Sequence, residues 1–193
     1  IDEIYYDLKS IGVFCGKHKE LSETDYDYLD GQFLMKLASD IKPYFLEKEE
    51  MSEIIKDGNH YILIETDADN NRKLMLVDIP RSFLAGIVIR KSRGLCLLLP
   101  LELIKIYLKQ ICFPFEPKAF VAFRAFRNAD IDFEYDDFEL GASAVERIKK
   151  MLDKRVYSDF VGAFVYSESI DDTLMGELAD ILAISSDEIV QCS

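Results

Sequence analysis

The sequence predicts an α+β fold: a mixed or antiparallel sheet with flanking helices, preceded by a helical, hairpin-like N-terminal part. Three observations carry this. Two amphipathic helical patterns, over Asp2–Ile11 and from Ser22 to about Ile41, come before any long strand. Two β-rich runs, Tyr61–Thr66 and Lys73–Ile79, are separated only by the polar turn Asp67-Ala68-Asp69-Asn70-Asn71. The stretch Phe120–Leu140, FVAFRAFRNADIDFEYDDFEL, opens as an apolar run broken by Arg124 and Arg127, then alternates acid with apolar residue from Asp130 to Asp136. Period two over that length describes a strand with one buried and one wet face. Helices first, then strands with helices between them, make an α+β domain.

Taken in order, the first helix places Ile4, Tyr5, Leu8 and Ile11 on one side, and Gly12 ends it. Val13–Cys15 is short and apolar. Ser22 is an N-cap with Asp25 three residues on, and Tyr26, Leu29, Phe33, Leu37 and Ile41 form the face behind it; Pro43 ends that helix or follows its end closely. Positions 46–58 are charged and read as a loop with at most a helical turn. After the hairpin, Pro80 breaks the chain, and Phe83–Arg90 is a second apolar run closed by the basic turn Arg90–Gly94. Leu95–Leu99 reads as a buried strand. Pro100 opens a helix to Ile111 whose inner side is Leu101, Ile104, Leu108 and Ile111, and Pro114 and Pro117 bound a loop. Beyond the central stretch, Ser143 begins a helix with Val145, Ile148 and Leu152 inward. Phe160–Tyr166 is a strand, and Asp171 starts a last helix carrying Leu174, Leu178, Ile181 and Leu182.

A chain of 193 residues is one domain, or one with a small extension, and at this size folding buries roughly 70% of the unfolded surface without metals or disulfides. Hydrophobic residues make up 49% of it, which excludes disorder of the whole. The formal charge of −13 argues against general binding to nucleic acid or anionic membranes. Cys15, Cys96, Cys112 and Cys192 have neither C-x-x-C nor zinc-like spacing, so free, buried thiols in a reducing cytoplasm are expected. No apolar run approaches the roughly 20 residues of a membrane span. Opening on Ile1 rather than Met points to a segment of a longer protein.

Candidate chemistry is sparse. The 67–71 turn carries calcium-like acids and amides but lacks the Gly and Glu a calcium loop needs at its sixth and twelfth positions, so it reads as a solvated turn. Asp130, Asp132, Glu134, Asp136, Asp137 and Glu139 read as the wet side of a strand rather than a cation site. Arg147, Lys149, Lys150 and Lys154 read as a solvated helix face. His18 and His60 read as ordinary surface or edge histidines. Arg124 and Arg127 point to opposite faces of an ideal strand and form one clamp only if the strand bulges near Asn128. Either one of them lines a polyanion path or subunit contact, or Arg127 pairs with Asp130 or Asp132 and holds a turn; the second reading is preferred.

The segment Phe123-Arg124 to Arg127-Asn128-Ala129-Asp130-Ile131 resembles the middle of the bacterial polyphosphate kinase family, where a strand ending in T-R-N-A-D leads into an acidic segment and a helix. Ile11-Gly12-Val13, Glu20-Leu21-Ser22, Phe33, Pro43, Leu76–Pro80, Leu97–Tyr107 and Leu174–Ile184 with Ile189 follow the same family order. Phe126 departs from it, standing where the family usually has Thr, and the segment from Phe45 to Asn59 has no recognisable counterpart. The resemblance implies the middle, or head, domain over 1–193, with the N-terminal helical and C-terminal catalytic domains absent from this chain. It implies a parent enzyme that reversibly transfers the terminal phosphate of ATP to polyphosphate through a phosphohistidine, using ATP and Mg2+. It further implies a homodimer formed through this domain and a cytoplasmic location, with the parent able to associate with the membrane. The family's catalytic histidines lie in H-x-K-x-x-x-x-D lobes that match nothing here, so no catalytic, cofactor-binding or metal residue is carried over. Arg124 and Arg127 remain the polyphosphate or interface candidates, and the segment alone is expected to be inactive. The rival from another class is a stand-alone acidic α+β interaction module without catalytic activity.

Overall fold

The computed structural model describes residues 2–36, 40–68, 71–92, 94–128, 143, 145–146, 149, 158–166 and 171–192. Contacts gather them into two compact units. The first takes Ile1–Pro43, Thr66–Lys73 and Val77–Lys118, and the second takes Tyr44–Glu65, Leu74–Leu76 and Ala119–Ser193. The fold is α+β, with strands in two sheets and several helices.

In the first unit, α1 (Asp2–Ser10) stops at Gly12, whose positive φ of 78° suits the residue after a helix end. Its stripe is not buried as read: Ile4 and Ile11 are exposed. The chain continues as β1 (Val13–Cys15), between the two leading helices. A 3-10 turn at His18–Glu20 precedes α2 (Glu23–Lys36). The Asp25 carboxylate accepts hydrogen bonds from the Ser22 backbone N–H (2.7 Å) and hydroxyl (2.6 Å), the half of a capping box in which the third residue reaches back. Strand β1 pairs in parallel with β6 (Gly94–Leu98), and β6 pairs antiparallel with β5 (Ile87–Lys91), giving the order β1-β6-β5. The run Phe83–Arg90 is therefore half turn and half strand. Helix α4 (Pro100–Cys112) has Pro at its first position, as the sequence indicates. Its buried side is Leu103, Ile104, Tyr107 and Ile111, rotated from the predicted one because Tyr107 turns inward to donate to Asp30 (2.9 Å).

The six-stranded sheet runs β2-β4-β3-β7-β8-β9. Its strands are β2 (Lys42–Tyr44), β3 (His60–Ala68), β4 (Asn71–Ile79), β7 (Glu116–Arg127), β8 (Phe160–Val165) and β9 (Ile189–Gln191). Pro43 thus follows the helix and lies in a short strand, and Pro117 lies inside β7 rather than in a loop. Within residues 46–58 the helical part is longer than a single turn: it is a seven-residue helix, α3 (Lys48–Ile54). The last helix, α5 (Asp172–Leu182), starts as predicted, with the Asp171 carboxylate accepting from the N–H groups of Thr173 and Leu174. The core of the second unit joins Val121, Phe123 and Ala125 of β7 with Ala163 and Val165 of β8, Met51 of α3 and Ile55 at its end, and Leu174, Leu178, Ile181 and Leu182 of α5. The acidic alternation beyond Ala129 and most of the helix predicted from Ser143 fall outside the described residues. At its start the Glu146 carboxylate accepts from the Ser143 N–H (2.8 Å).

Candidate functional site

Both arginines singled out in the sequence lie on β7, and alternation decides where each one goes. Val121, Phe123 and Ala125 face the core of the second unit, so Arg127 has core parity while Ala122, Arg124 and Phe126 share the opposite face. A register shift does occur near the strand end, between Phe126 and Arg127: Phe126 pairs with Gly162 and Arg127 with Phe160. The extra residue, Val161, belongs to β8. The alternation of β7 is therefore intact, and the arginines stay on opposite faces.

Arg127 closes the end of the core. Its guanidinium lies over the Phe160 ring, 3.8 Å from the centroid. Nη1 donates to Ser158 O (2.5 Å), and Nη2 donates to Ser52 O and Ile55 O (3.0 Å each). Those last two carbonyls belong to the C-terminal turn of α3, where the helix leaves carbonyls without internal partners and favours a cation. Its backbone N–H donates to Asp57 Oδ1 (3.0 Å). Burial pushes the guanidinium pKa down, while Asp57 and Asp159 oppose that shift. The partners anticipated from sequence, Asp130 and Asp132, lie outside the described residues. Among the described residues Arg127 is joined to carbonyls, which carry no sequence signature.

Arg124 reaches the same α3–β3 connection from the other face. Its Nε donates to Gly58 O (2.7 Å), and its guanidinium stands 5.0 Å from the Phe126 ring centroid. Phe126 meets Phe164 edge-on at 5.1 Å. Phe164 is 44% exposed and Val190 50%, so this end of the sheet face is open and apolar around one cation. Nearby, His60 Nδ1 lies 3.1 Å from the Tyr166 hydroxyl. Burial, followed by the Arg124 charge, lowers the His60 pKa below its usual 6.5 and favours the neutral ring. Burial pushes the Tyr166 hydroxyl pKa up, against Arg124. His60 is therefore part of a packed cluster beside Arg124, which its polar sequence neighbours did not indicate.

His18, in the first unit, is likewise more than a loop residue. The Glu102 carboxylate accepts from the His18 backbone N–H (2.6 Å), from His18 Nδ1 (2.7 Å) and from Lys105 Nζ (2.8 Å). Burial raises the Glu102 pKa, but the bonds from Lys105 and His18 outweigh it and hold the value at about 2. On α2, the Lys91 ammonium and then Ser22 lower the Asp25 pKa to about 2. These carboxylates are occupied in holding elements together. Among the described residues, no three His, Cys, Asp or Glu side chains converge as a metal site. Cys96 and Cys112 are buried as expected, whereas Cys192 is exposed, and all four thiols are free.

The charge divides unevenly. The first unit contains fourteen acids and fourteen bases and the second twenty-two acids and nine bases, so the whole excess of −13 belongs to the second. Arg124 is thus one of few cations in an acidic unit.

The family model described as the polyphosphate kinase middle domain matches residues 24–193. This chain belongs to the polyphosphate kinase family. Its fold is similar to part of the crystal structure of polyphosphate kinase from Porphyromonas gingivalis, with a TM-score of 0.69 and 14% identity. That likeness covers 100% of this chain and 27% of the Porphyromonas chain, so this polyphosphate kinase domain spans about a quarter of that enzyme's length. None of the curated proteins matches the chain. No helix among the described residues is long and apolar enough to cross a membrane.

Proposed function

We propose that this chain is the structural middle domain of an enzyme that reversibly transfers the terminal phosphate of ATP to polyphosphate. The phosphohistidine, ATP and Mg2+ would be held outside these residues, and this domain would form the contact between two subunits in the cytoplasm. Family membership over residues 24–193 supports the enzyme class. The observation that carries the scaffold reading is the use made of Arg127: three of its hydrogen bonds go to carbonyls of its own fold. Its role is to join α3 to the β7–β8 end rather than to meet a phosphate. Arg124 makes one such bond and lies at an open sheet face, so it is the better candidate for a polyanion path or a subunit contact.

The test is Arg124→Ala and Arg124→Lys in the full-length kinase, reading KM for polyphosphate, kcat and sedimentation mass. A polyanion contact raises KM with kcat kept, and Lys restores part of it. A subunit contact lowers the sedimentation mass. If neither KM nor mass changes, Arg124 has neither role.

A further inference from the structure

One place in the first unit combines an open sheet edge with a cavity. Strand β5 ends the order β1-β6-β5, so it has one strand neighbour. Its alternate N–H and C=O groups on the far side have no strand partner, and such an edge is a template for an added strand. Among the described residues, no backbone hydrogen bond from outside this sheet reaches residues 87–91.

Beside this edge is a cavity of about 370 Å³, lined by Tyr28 and Gln32 of α2, Ser82 and Phe83 of the preceding turn, and Ile87 and Val88 of β5. Successive strand residues point to opposite faces. Ile87 and Val88 both border the cavity, and with Gly86 before them and Leu103 of α4 they set it at the N-terminal end of β5. Its size is within the range of pockets that take a discrete ligand group, and Val88 at its rim is 47% exposed.

Two exposed bases stand in β5 and in the turn before it. Arg81 and Arg90 are both exposed, and neither makes an ion pair among the described residues. Lys91 is different, because it is paired with Asp25. Basic residues on an edge strand commonly serve only to discourage pairing. A cavity beside the same strand, in which Phe83, Ile87 and Val88 meet Tyr28, Gln32 and Ser82, is not required for that purpose, and it supplies the specificity element of strand addition.

We propose that the free edge of β5 receives an extended peptide of a partner protein, in which acids alternate with bulky apolar residues. One apolar side chain fills the cavity between α2 and the 82–88 segment, and the flanking acids face Arg81 and Arg90. The added strand takes its backbone hydrogen bonds from β5.

The experiment uses the full chain and two labelled peptides, Glu-Leu-Glu-Phe-Glu-Leu-Glu and its counterpart with Lys in place of Glu, with binding followed by fluorescence anisotropy. The acidic peptide binds, the basic one does not, and salt weakens the complex. Arg90→Glu, which changes an exposed charge, and Ser82→Trp, which fills the cavity, each weaken binding by about tenfold or more. Amide exchange at residues 87–91 slows in the complex. Equal binding of both peptides, no binding at millimolar peptide, or binding without slower exchange at 87–91 overturns the proposal. So does a dimer of this chain that Arg90→Glu dissociates, since the edge would then belong to a second copy.

Discussion

Replacing Arg127 by alanine is the sharpest perturbation of the second unit. The change leaves Ser158 O, Ser52 O and Ile55 O without their donor and removes the cation from the Phe160 ring. An unsatisfied buried group costs about 1–3 kcal/mol, and a partly desolvated cation–π contact is worth about 1–2 kcal/mol. Water can reach part of this half-buried site, and the terms share one side chain, so they do not add. The expected loss is about 3 kcal/mol. Arg127→Lys keeps the charge but loses the planar fork and costs about 1–2 kcal/mol. Arg124→Ala removes one bond, to Gly58 O, and costs about 1 kcal/mol. Urea unfolding followed by circular dichroism and tyrosine fluorescence gives all three, the chain having no Trp. The order Arg127→Ala, Arg127→Lys, Arg124→Ala is the prediction. An Arg127→Ala loss no larger than that of Arg124→Ala would refute the view that Arg127 holds α3 to the sheet.

Two further outcomes follow from the first unit. The Asp25 and Glu102 carboxyls have pKa values lowered to about 2, so as the pH falls the unfolded chain takes up their protons first. Their stabilisation is complete above about pH 4.5 and is lost towards about pH 2; Asp25→Asn with Glu102→Gln should flatten the fall in urea midpoint across that range, and an unchanged slope counts against these pairs. Gly86→Ala should cost about 3 kcal/mol, because φ is 69° there and an added Cβ would stand 2.4 Å from Leu98 O, a backbone atom. Thermal unfolding unchanged by that substitution would count against the β5–β6 geometry.

The elements the sequence made legible are those with local chemistry. Ser22 with Asp25, Pro100 and Asp171 each mark a helix start through groups only a few residues apart. The strands flanking the polar 67–71 segment were legible too, although β3 runs on to Ala68 and β4 already begins at Asn71. Lys42–Tyr44 and Ile189–Gln191 are too short to show period two, so β2 and β9 were not visible. Helix α3 is mostly charged and fully buries only Met51, which leaves no apolar stripe to read. Pro117 is the second residue of β7, close to the strand's start, where a missing N–H is tolerated. At the candidate site, opposite faces for Arg124 and Arg127 followed from their spacing. Their partners did not, because a carbonyl brought near by tertiary folding has no residue type to betray it. The His18–Glu102 contact, 84 positions apart, was hidden for the same reason.

The most direct measurement of the scaffold account is an assay of the purified 193-residue chain with ATP, Mg2+ and a polyphosphate primer, alongside the full-length kinase. The account predicts no polyphosphate synthesis and no labelled histidine from the chain, with both from the full-length enzyme. Turnover by the chain alone would place the reacting group within these residues and contradict it.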